Sequence, residues 1–142
     1  MIDSNVLQEA LSNIDFRPDI DLFASRLDAQ FPRYVSFRPD PAAFAIDALT
    51  LNLSHFQFYA FPPFSVITSF LQKNQEDKAT GICVFPDWPT QAWYPKALQL
   101  CVTTPIKLGL GRNLLKFPGQ PTALHPLHKS LTLLVCHLSG SN

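Results

Sequence analysis

Short apolar runs alternate with amphipathic segments along most of the chain. The apolar runs predict strands over residues 20–24, 33–37, 57–60 and 82–85. The clearest helix is predicted over residues 65–78, where one face carries the apolar residues Val66, Ile67, Phe70 and Leu71. Alternating strands and helices are typical of an α/β fold. We therefore expect a mostly parallel sheet with helices on both faces.

Three further helices follow from shorter patterns. An N-terminal helix is predicted because four apolar residues share one face: Val6, Leu7, Ala10 and Leu11. Residues 42–48 predict a short helix. Another helix is predicted from Pro95 to about Cys101, because proline suits the first helical turn.

The C-terminal part of the chain has a looser pattern. Residues 107–124 contain glycines and prolines with little periodicity, which predicts an irregular arm. Residues 131–138 form an apolar run compatible with a strand. We assign residues 1–104 to the core of one α/β domain, and residues 105–142 to an arm and a final strand of that domain.

The composition fits one globular domain and gives it no overall charge. The chain has 142 residues, and its 11 basic and 11 acidic residues cancel. A basic field that would by itself predict nucleic-acid binding is therefore missing. We expect any contact with DNA or an RNA/DNA hybrid to be local, or to be made through neighbouring domains.

Cysteines and hydropathy indicate the compartment. The chain has three cysteines, Cys83, Cys101 and Cys136. Their odd number and wide spacing argue against a structural zinc site and against a disulfide framework. His125 and His128 lack a cysteine or carboxylate pattern, so no metal site is predicted. No apolar stretch reaches membrane-spanning length, and the N-terminus lacks a signal-peptide pattern. We expect an intracellular protein of the cytoplasm or nucleus with no membrane partner.

The loop Phe61-Pro62-Pro63-Phe64 is the most distinctive feature of the sequence. Proline has no backbone donor and disfavours helical angles in the residue before it, so the strand over residues 57–60 must end at Phe61. A rigid loop with aromatic residues is then expected at the carboxyl end of a strand. Open α/β sheets bind their ligands at that edge.

This loop resembles the catalytic loop of amino-group DNA methyltransferases, whose pattern is Asp or Asn, Pro, Pro, then Tyr or Phe. In that family the Asp or Asn oxygen and the first proline's carbonyl accept hydrogen bonds from the target amino group. The final aromatic residue stacks on the flipped base. Pro62, Pro63 and Phe64 match this pattern, whereas Phe61 stands where the acceptor side chain is expected.

The resemblance extends beyond the loop. Residues 19–95 resemble phage-type adenine-N6 DNA methyltransferases. Nearly the whole chain is similar to the methyltransferase-like segment of DIRS-type tyrosine-recombinase retrotransposons, which follows reverse transcriptase and RNase H in the polyprotein. The strings that carry this similarity are residues 21–27, 32–36, 59–65, 88–95, 125–128 and 138–140. The resemblance implies a small Rossmann-like methyltransferase fold with the other retroelement domains as partners.

The resemblance also implies roles for three aspartates. Asp21 would lie at the cofactor strand, Asp40 would hold the ribose of S-adenosylmethionine, and Asp47 would contact its adenine. Helix caps and turns are the alternative roles, because aspartate favours both. The loop after Ala24 begins Ser25-Arg26 and has no glycine that would let the backbone approach a cofactor closely.

Two functions remain open on these observations. The first is a degenerate, non-catalytic methyltransferase-like domain that binds no cofactor and acts as a scaffold or contacts nucleic acid. The second is an active enzyme that transfers methyl groups from S-adenosylmethionine to DNA adenine. Trp88 and Trp93 are candidates for stacking on a base, although tryptophans in a proline-rich loop often cover the end of a core.

Overall fold

The computed structural model describes residues 4–24, 29–36, 43–108 and 132–141. In this part of the chain, seven strands form one sheet. The strands are β1 (Ile20–Asp21), β2 (Arg33–Ser36), β3 (Ala45–Ile46), β4 (Gln57–Ala60), β5 (Thr80–Pro86), β6 (Ile106–Leu108) and β7 (Leu133–Ser139).

The strand order across the sheet is β3-β2-β1-β4-β5-β7-β6. Neighbours from β3 to β5 pair in parallel, whereas β7 is antiparallel to both β5 and β6. The predicted mostly parallel sheet is therefore confirmed. Without β7, the order is the 3-2-1-4-5-6 of the Rossmann fold, which binds ligands where the order reverses between strands 1 and 4.

Helices cover both faces of the sheet, as predicted. The helices are α1 (Ser4–Leu11), α2 (Ile67–Glu76) and α3 (Tyr94–Leu100). Buried residues of α1 pack with Tyr59, Ile82 and Val84 on one face of the sheet. The buried residues of α2 and α3 belong to the core on the other face, which we call the α2/α3 face.

The apolar stripe of α2 lies on the sheet. Ile67, Phe70 and Leu71 are buried, whereas Val66 precedes the helix and is half-buried. The helix is shorter than predicted because Phe64–Val66 form a 3-10 turn and Lys78 has a φ of 51°, a left-handed value that does not continue a helix. Asn74 is buried on the same stripe, a polar position that periodicity alone does not reveal.

The helix predicted over residues 42–48 is wrong. The structure has β3 at Ala45–Ile46, and Asp47 follows it with a φ of 62°. The register pairs Val35 with Ala45 and Ser36 with Ile46, so β2 supplies the backbone partners. Pairing with a neighbouring strand overrides the weak helical preference of the alanines.

The first strand is also shorter than predicted, although its pairing continues beyond the strand. The Leu22 N–H donates to the Tyr59 carbonyl at 2.9 Å, and the Ala24 N–H donates to the Val35 carbonyl at 3.1 Å. Residues just after β1 are thus held between β2 and β4. This places the start of the following loop at the carboxyl edge of the sheet.

The C-terminal predictions have a mixed outcome. The predicted final strand is confirmed as β7, and its residues Leu133 to Cys136 are buried. The start of the predicted arm is extended, because Lys107 and Leu108 belong to β6 and pair with β7. Most of that arm, residues 109–124, lies outside the described residues.

Candidate functional site

The carboxyl ends of β1 and β4 lie side by side at the point where the strand order reverses. Asp21, the last residue of β1, pairs in register with Tyr59 of β4. The loop that begins at Phe61 therefore starts next to the end of β1. In open α/β sheets this crevice is where ligands bind, which makes it the candidate site here.

The proline loop leaves β4 in a stiff, extended path. Pro62 is buried and Pro63 is exposed. The Pro63 carbonyl accepts a hydrogen bond of 2.9 Å from the Val66 N–H, which closes the 3-10 turn before α2. Within the described residues, the Pro62 carbonyl accepts no hydrogen bond. One backbone acceptor thus stays available beside Phe61.

Three aromatic rings line this part of the edge, and we call Phe61, Phe64 and Trp88 the aromatic shelf. The ring centroids of Phe61 and Phe64 are 6.4 Å apart. Phe64 meets Trp88 edge to face, with centroids 4.9 Å apart and planes at 73°. All three side chains are half-buried, so each combines a packing role with some exposed ring surface.

Trp93 is not part of this shelf. Its exposed fraction is 8%, and its ring packs against Phe85 with centroids 5.6 Å apart and against Tyr94 at 6.0 Å. The sequence left two roles open for Trp93, stacking on a base and covering the end of the core. The structure supports the second role. Its ring has little surface left for a base.

Asp21 holds the loop that follows its own strand. Its Oδ1 accepts a hydrogen bond of 3.2 Å from the Phe23 N–H, and its Oδ2 accepts one of 3.0 Å from the Gln30 N–H. The residue is only 2% exposed. A carboxylate whose two oxygens already accept backbone donors is a structural anchor, and a cofactor would have to compete with those donors.

Asp47 serves as a cap. Its Oδ1 accepts a hydrogen bond of 3.0 Å from the Leu49 N–H, which caps the 3-10 helix Ala48–Thr50. It follows β3, which is separated from β1 by β2. The structure therefore does not bring Asp21 and Asp47 to one point. Asp40, the predicted ribose ligand, lies outside the described residues.

The two described aspartates that the resemblance assigns to the cofactor both have local structural partners. Both Asp21 and Asp47 already accept hydrogen bonds from nearby backbone N–H groups. A ribose hydroxyl or an adenine amino group would therefore share these oxygens with backbone donors. The cap and turn roles that aspartate favours account for both residues.

A second polar group lies at the same edge, around Asp87, and the sequence did not reveal its partners Tyr94 and Lys107. The Tyr94 hydroxyl donates to Asp87 Oδ1 at 2.5 Å, and Lys107 Nζ lies 3.8 Å from Asp87 Oδ2. The hydrogen bond to Asp87 is the main reason that the pKa of Tyr94 is raised to about 12. The position of Asp87 just after the buried strand β5 was the one available sequence signal. Its partners come from α3 and β6.

The described residues contain neither a metal-binding cluster nor a membrane-spanning helix. Their His, Cys, Asp and Glu side chains form no group of three or more that could hold a metal ion. None of the helices in the described ranges is long and apolar enough to cross a membrane.

No protein-family model matches the chain, and no curated protein sequence matches it.

Proposed function

We propose that this chain is a degenerate, non-catalytic relative of adenine-N6 DNA methyltransferases from a DIRS-type retrotransposon polyprotein. In this proposal it acts as a scaffold between the reverse transcriptase/RNase H part and later parts of the polyprotein, or as a module that contacts nucleic acid. The observation that carries the proposal is Phe61, which follows β4 at the switch point of a Rossmann-like sheet.

The chemistry of amino-group methylation explains why Phe61 argues against activity. The exocyclic nitrogen gains positive charge as it attacks the methyl group, so hydrogen-bond acceptors have to be positioned beside its N–H groups to stabilise that charge. Phenylalanine offers no acceptor, and losing one such polar partner raises a reaction barrier by about 2.7–4 kcal/mol. The anchoring of Asp21 to backbone donors is in line with this proposal, because it gives the acidic residue of this strand a structural role.

The alternative, an active S-adenosylmethionine-dependent adenine-N6 DNA methyltransferase, has one specific observation in its favour. The Pro62 carbonyl, which has a direct role in the family that the loop resembles, accepts no hydrogen bond from the described residues. One of the two acceptors of the family loop is therefore present. The experiment that separates the two functions restores the other acceptor.

The variant Phe61→Asn is expected to show no measurable methylation of adenine. It places an amide oxygen next to the Pro62 carbonyl, but it changes neither the engaged Asp21 carboxylate nor the glycine-free sequence Ser25-Arg26. The measurement is transfer of a radioactive methyl group from S-adenosylmethionine to adenine-containing DNA, with the wild type as control. Calorimetric titration with S-adenosylmethionine should show no saturable heat for either protein.

Two outcomes would contradict the proposal. Labelled adenine in the Phe61→Asn reaction would mean that a single side chain separates this domain from an enzyme. Saturable cofactor binding to the wild type would remove the main support for degeneracy and would favour the alternative.

The nucleic-acid role predicts that the aromatic shelf contributes to binding. Base stacking on an aromatic side chain is worth about 1–3 kcal/mol per base, so Phe64→Ala should weaken binding of single-stranded DNA by that amount. The matched control is Phe44→Ala, which removes a phenylalanine that is 50% exposed beside β3, at the far edge of the sheet. Fluorescence anisotropy at low salt measures both affinities, and circular dichroism checks that both variants fold.

The control variant should bind as the wild type does. Equal affinity of Phe64→Ala and wild type would exclude the shelf as a contact surface. The same conclusion would follow if the wild type did not bind at all, and the scaffold role would then be the one that stands.

A further inference from the structure

The three cysteines, far apart in the sequence, meet on the α2/α3 face of the sheet. Cys83 of β5 lies directly opposite Cys136 of β7 in the antiparallel register. Cys101 follows α3 and forms an isolated bridge with Leu138, two residues from Cys136 along β7. Alternate residues of a strand point to the same face, so Cys136 and Leu138 share a side. All three cysteines pack in the core of that face.

Cys101 differs from the other two because solvent reaches it. Cys83 and Cys136 are buried, whereas Cys101 is half-buried at the C-terminal end of α3. Its Sγ lies 3.2 Å from the Ala97 carbonyl oxygen. A small reagent that enters from solvent would therefore meet Cys101 first.

Cys101 and Cys136 also interact with each other. The interaction between the two thiols lowers the pKa of Cys101 and raises that of Cys136. Burial raises the pKa of Cys83, whose Sγ lies 3.9 Å from the carbonyl of the next residue, Val84. The thiolate is the reactive form of cysteine and needs access to the reagent, so the partly exposed Cys101 is favoured as the nucleophile and the buried Cys136 as its neighbour.

We propose that Cys101 is a site of oxidation by peroxides and that Cys136 is the thiol that converts the product into a disulfide. In the first step, the Cys101 sulfur attacks a peroxide oxygen. An S–O bond forms and the O–O bond breaks. The second oxygen takes up the proton of the Cys101 thiol and leaves as water, or as an alcohol from an organic peroxide. Cys101 is then a sulfenic acid.

In the second step, the Cys136 sulfur attacks the Cys101 sulfur. An S–S bond forms, the S–O bond breaks, and the hydroxyl leaves as water with the proton of Cys136. The two thiols lose two hydrogen atoms in total, and one peroxide is reduced. A thiol reductant restores the starting state, which agrees with the transient disulfides found in reducing compartments.

The backbone geometry requires a small movement for this bond. Diagonal neighbours on antiparallel strands have Cα atoms about 7–8 Å apart, slightly more than a relaxed disulfide spans. Cys101 has an extended conformation after the last turn of α3, and the Val102 N–H donates to the His137 carbonyl at 2.7 Å. Oxidation would therefore draw the end of α3 closer to β7.

Peptide mapping of the full-length wild-type protein tests this proposal directly. Trypsin cleaves after Lys78, Lys96, Lys107 and Lys129, which places each of the three cysteines on a separate peptide. After treatment with hydrogen peroxide and alkylation of free thiols, mass spectrometry should find the Cys101 and Cys136 peptides joined, with the loss of two hydrogen atoms. A reductant should separate them, and the Cys83 peptide should be alkylated.

Single variants identify the two steps. Cys136→Ala should stop at the sulfenic acid, seen as one added oxygen on the Cys101 peptide or as its adduct with dimedone. Cys101→Ala should lose both products, whereas Cys83→Ala should retain the linkage. Should a variant at a buried position not fold, the wild-type map still decides the question.

Several results would overturn the proposal. One is an unmodified Cys101 at a peroxide concentration that oxidises free cysteine. Another is a linkage between Cys83 and Cys136, or one that depends on protein concentration and so joins two chains. The same linkage yield in urea as in native buffer would also overturn it, because the fold would then have no part in pairing the thiols.

Discussion

Replacing Phe70 by alanine should lower the free energy of unfolding by about 3–5 kcal/mol, as expected for deleting a buried phenylalanine. Phe70 is fully buried where α2 packs on the sheet. Its ring meets Phe58 edge to face at 5.5 Å, and it meets Phe23 in the same way at 5.4 Å. The alanine would leave a cavity among rings that a well-packed core cannot easily close.

Urea denaturation followed by circular dichroism measures this change. The control is Phe44→Ala, which removes a half-exposed ring and should cost no more than about 1 kcal/mol. A domain of this size is stable by only about 5–15 kcal/mol, so Phe70→Ala could be close to unfolded. Phe70→Leu then gives a smaller loss in the same direction. Similar losses for Phe70→Ala and Phe44→Ala would mean that α2 does not pack through Phe70.

The elements that could be predicted are those whose own residues are strongly patterned. The strand β5 contains a buried apolar run between Gly81 and Pro86. The helix α2 has an apolar stripe at helical spacing, which a helix on the sheet buries. In both cases the signal lies within the element itself. Local pattern and tertiary packing agree there, so the predictions hold.

The element that could not be predicted depends on a partner strand. Ala45 and Ile46 have no alternation long enough to indicate a strand, and the alanines nearby favour a helix. Only the register with Val35 and Ser36 supplies the backbone hydrogen bonds that make them β3. Such pairing between distant segments is invisible in a short stretch of sequence.

In the candidate site too, one part could be predicted from the sequence and another could not. The position of the proline loop could be predicted, because two prolines end a strand through their own geometry. The function of Asp21 could not, since one of its partners is the backbone N–H of Gln30, nine residues away. The link between Asp87 and Tyr94 likewise joins the end of β5 to the start of α3. Side-chain roles that depend on the path of a loop require the folded structure.

The role of Asp21 as an anchor leads to the second large effect. Asp21→Ala should lower the free energy of unfolding by about 2–4 kcal/mol, because buried donors left without an acceptor cost about 1–3 kcal/mol each. The two donors are the N–H groups of Phe23 and Gln30, which the carboxylate holds at 3.2 and 3.0 Å. Loss of the buried charge offsets part of this cost.

The matched control for Asp21→Ala is Asp47→Ala, a change at a half-exposed aspartate that caps a single turn and should cost about 0.5–2 kcal/mol. Both losses are measured by urea denaturation without any ligand. A carboxylate that only bound a cofactor would behave differently. Replacing it by alanine would leave the stability of the ligand-free protein unchanged. An unchanged stability for Asp21→Ala would therefore return this carboxylate to the cofactor role and weaken the case for degeneracy. A large loss would mean that the end of β1 uses its acidic residue to hold the adjoining loop.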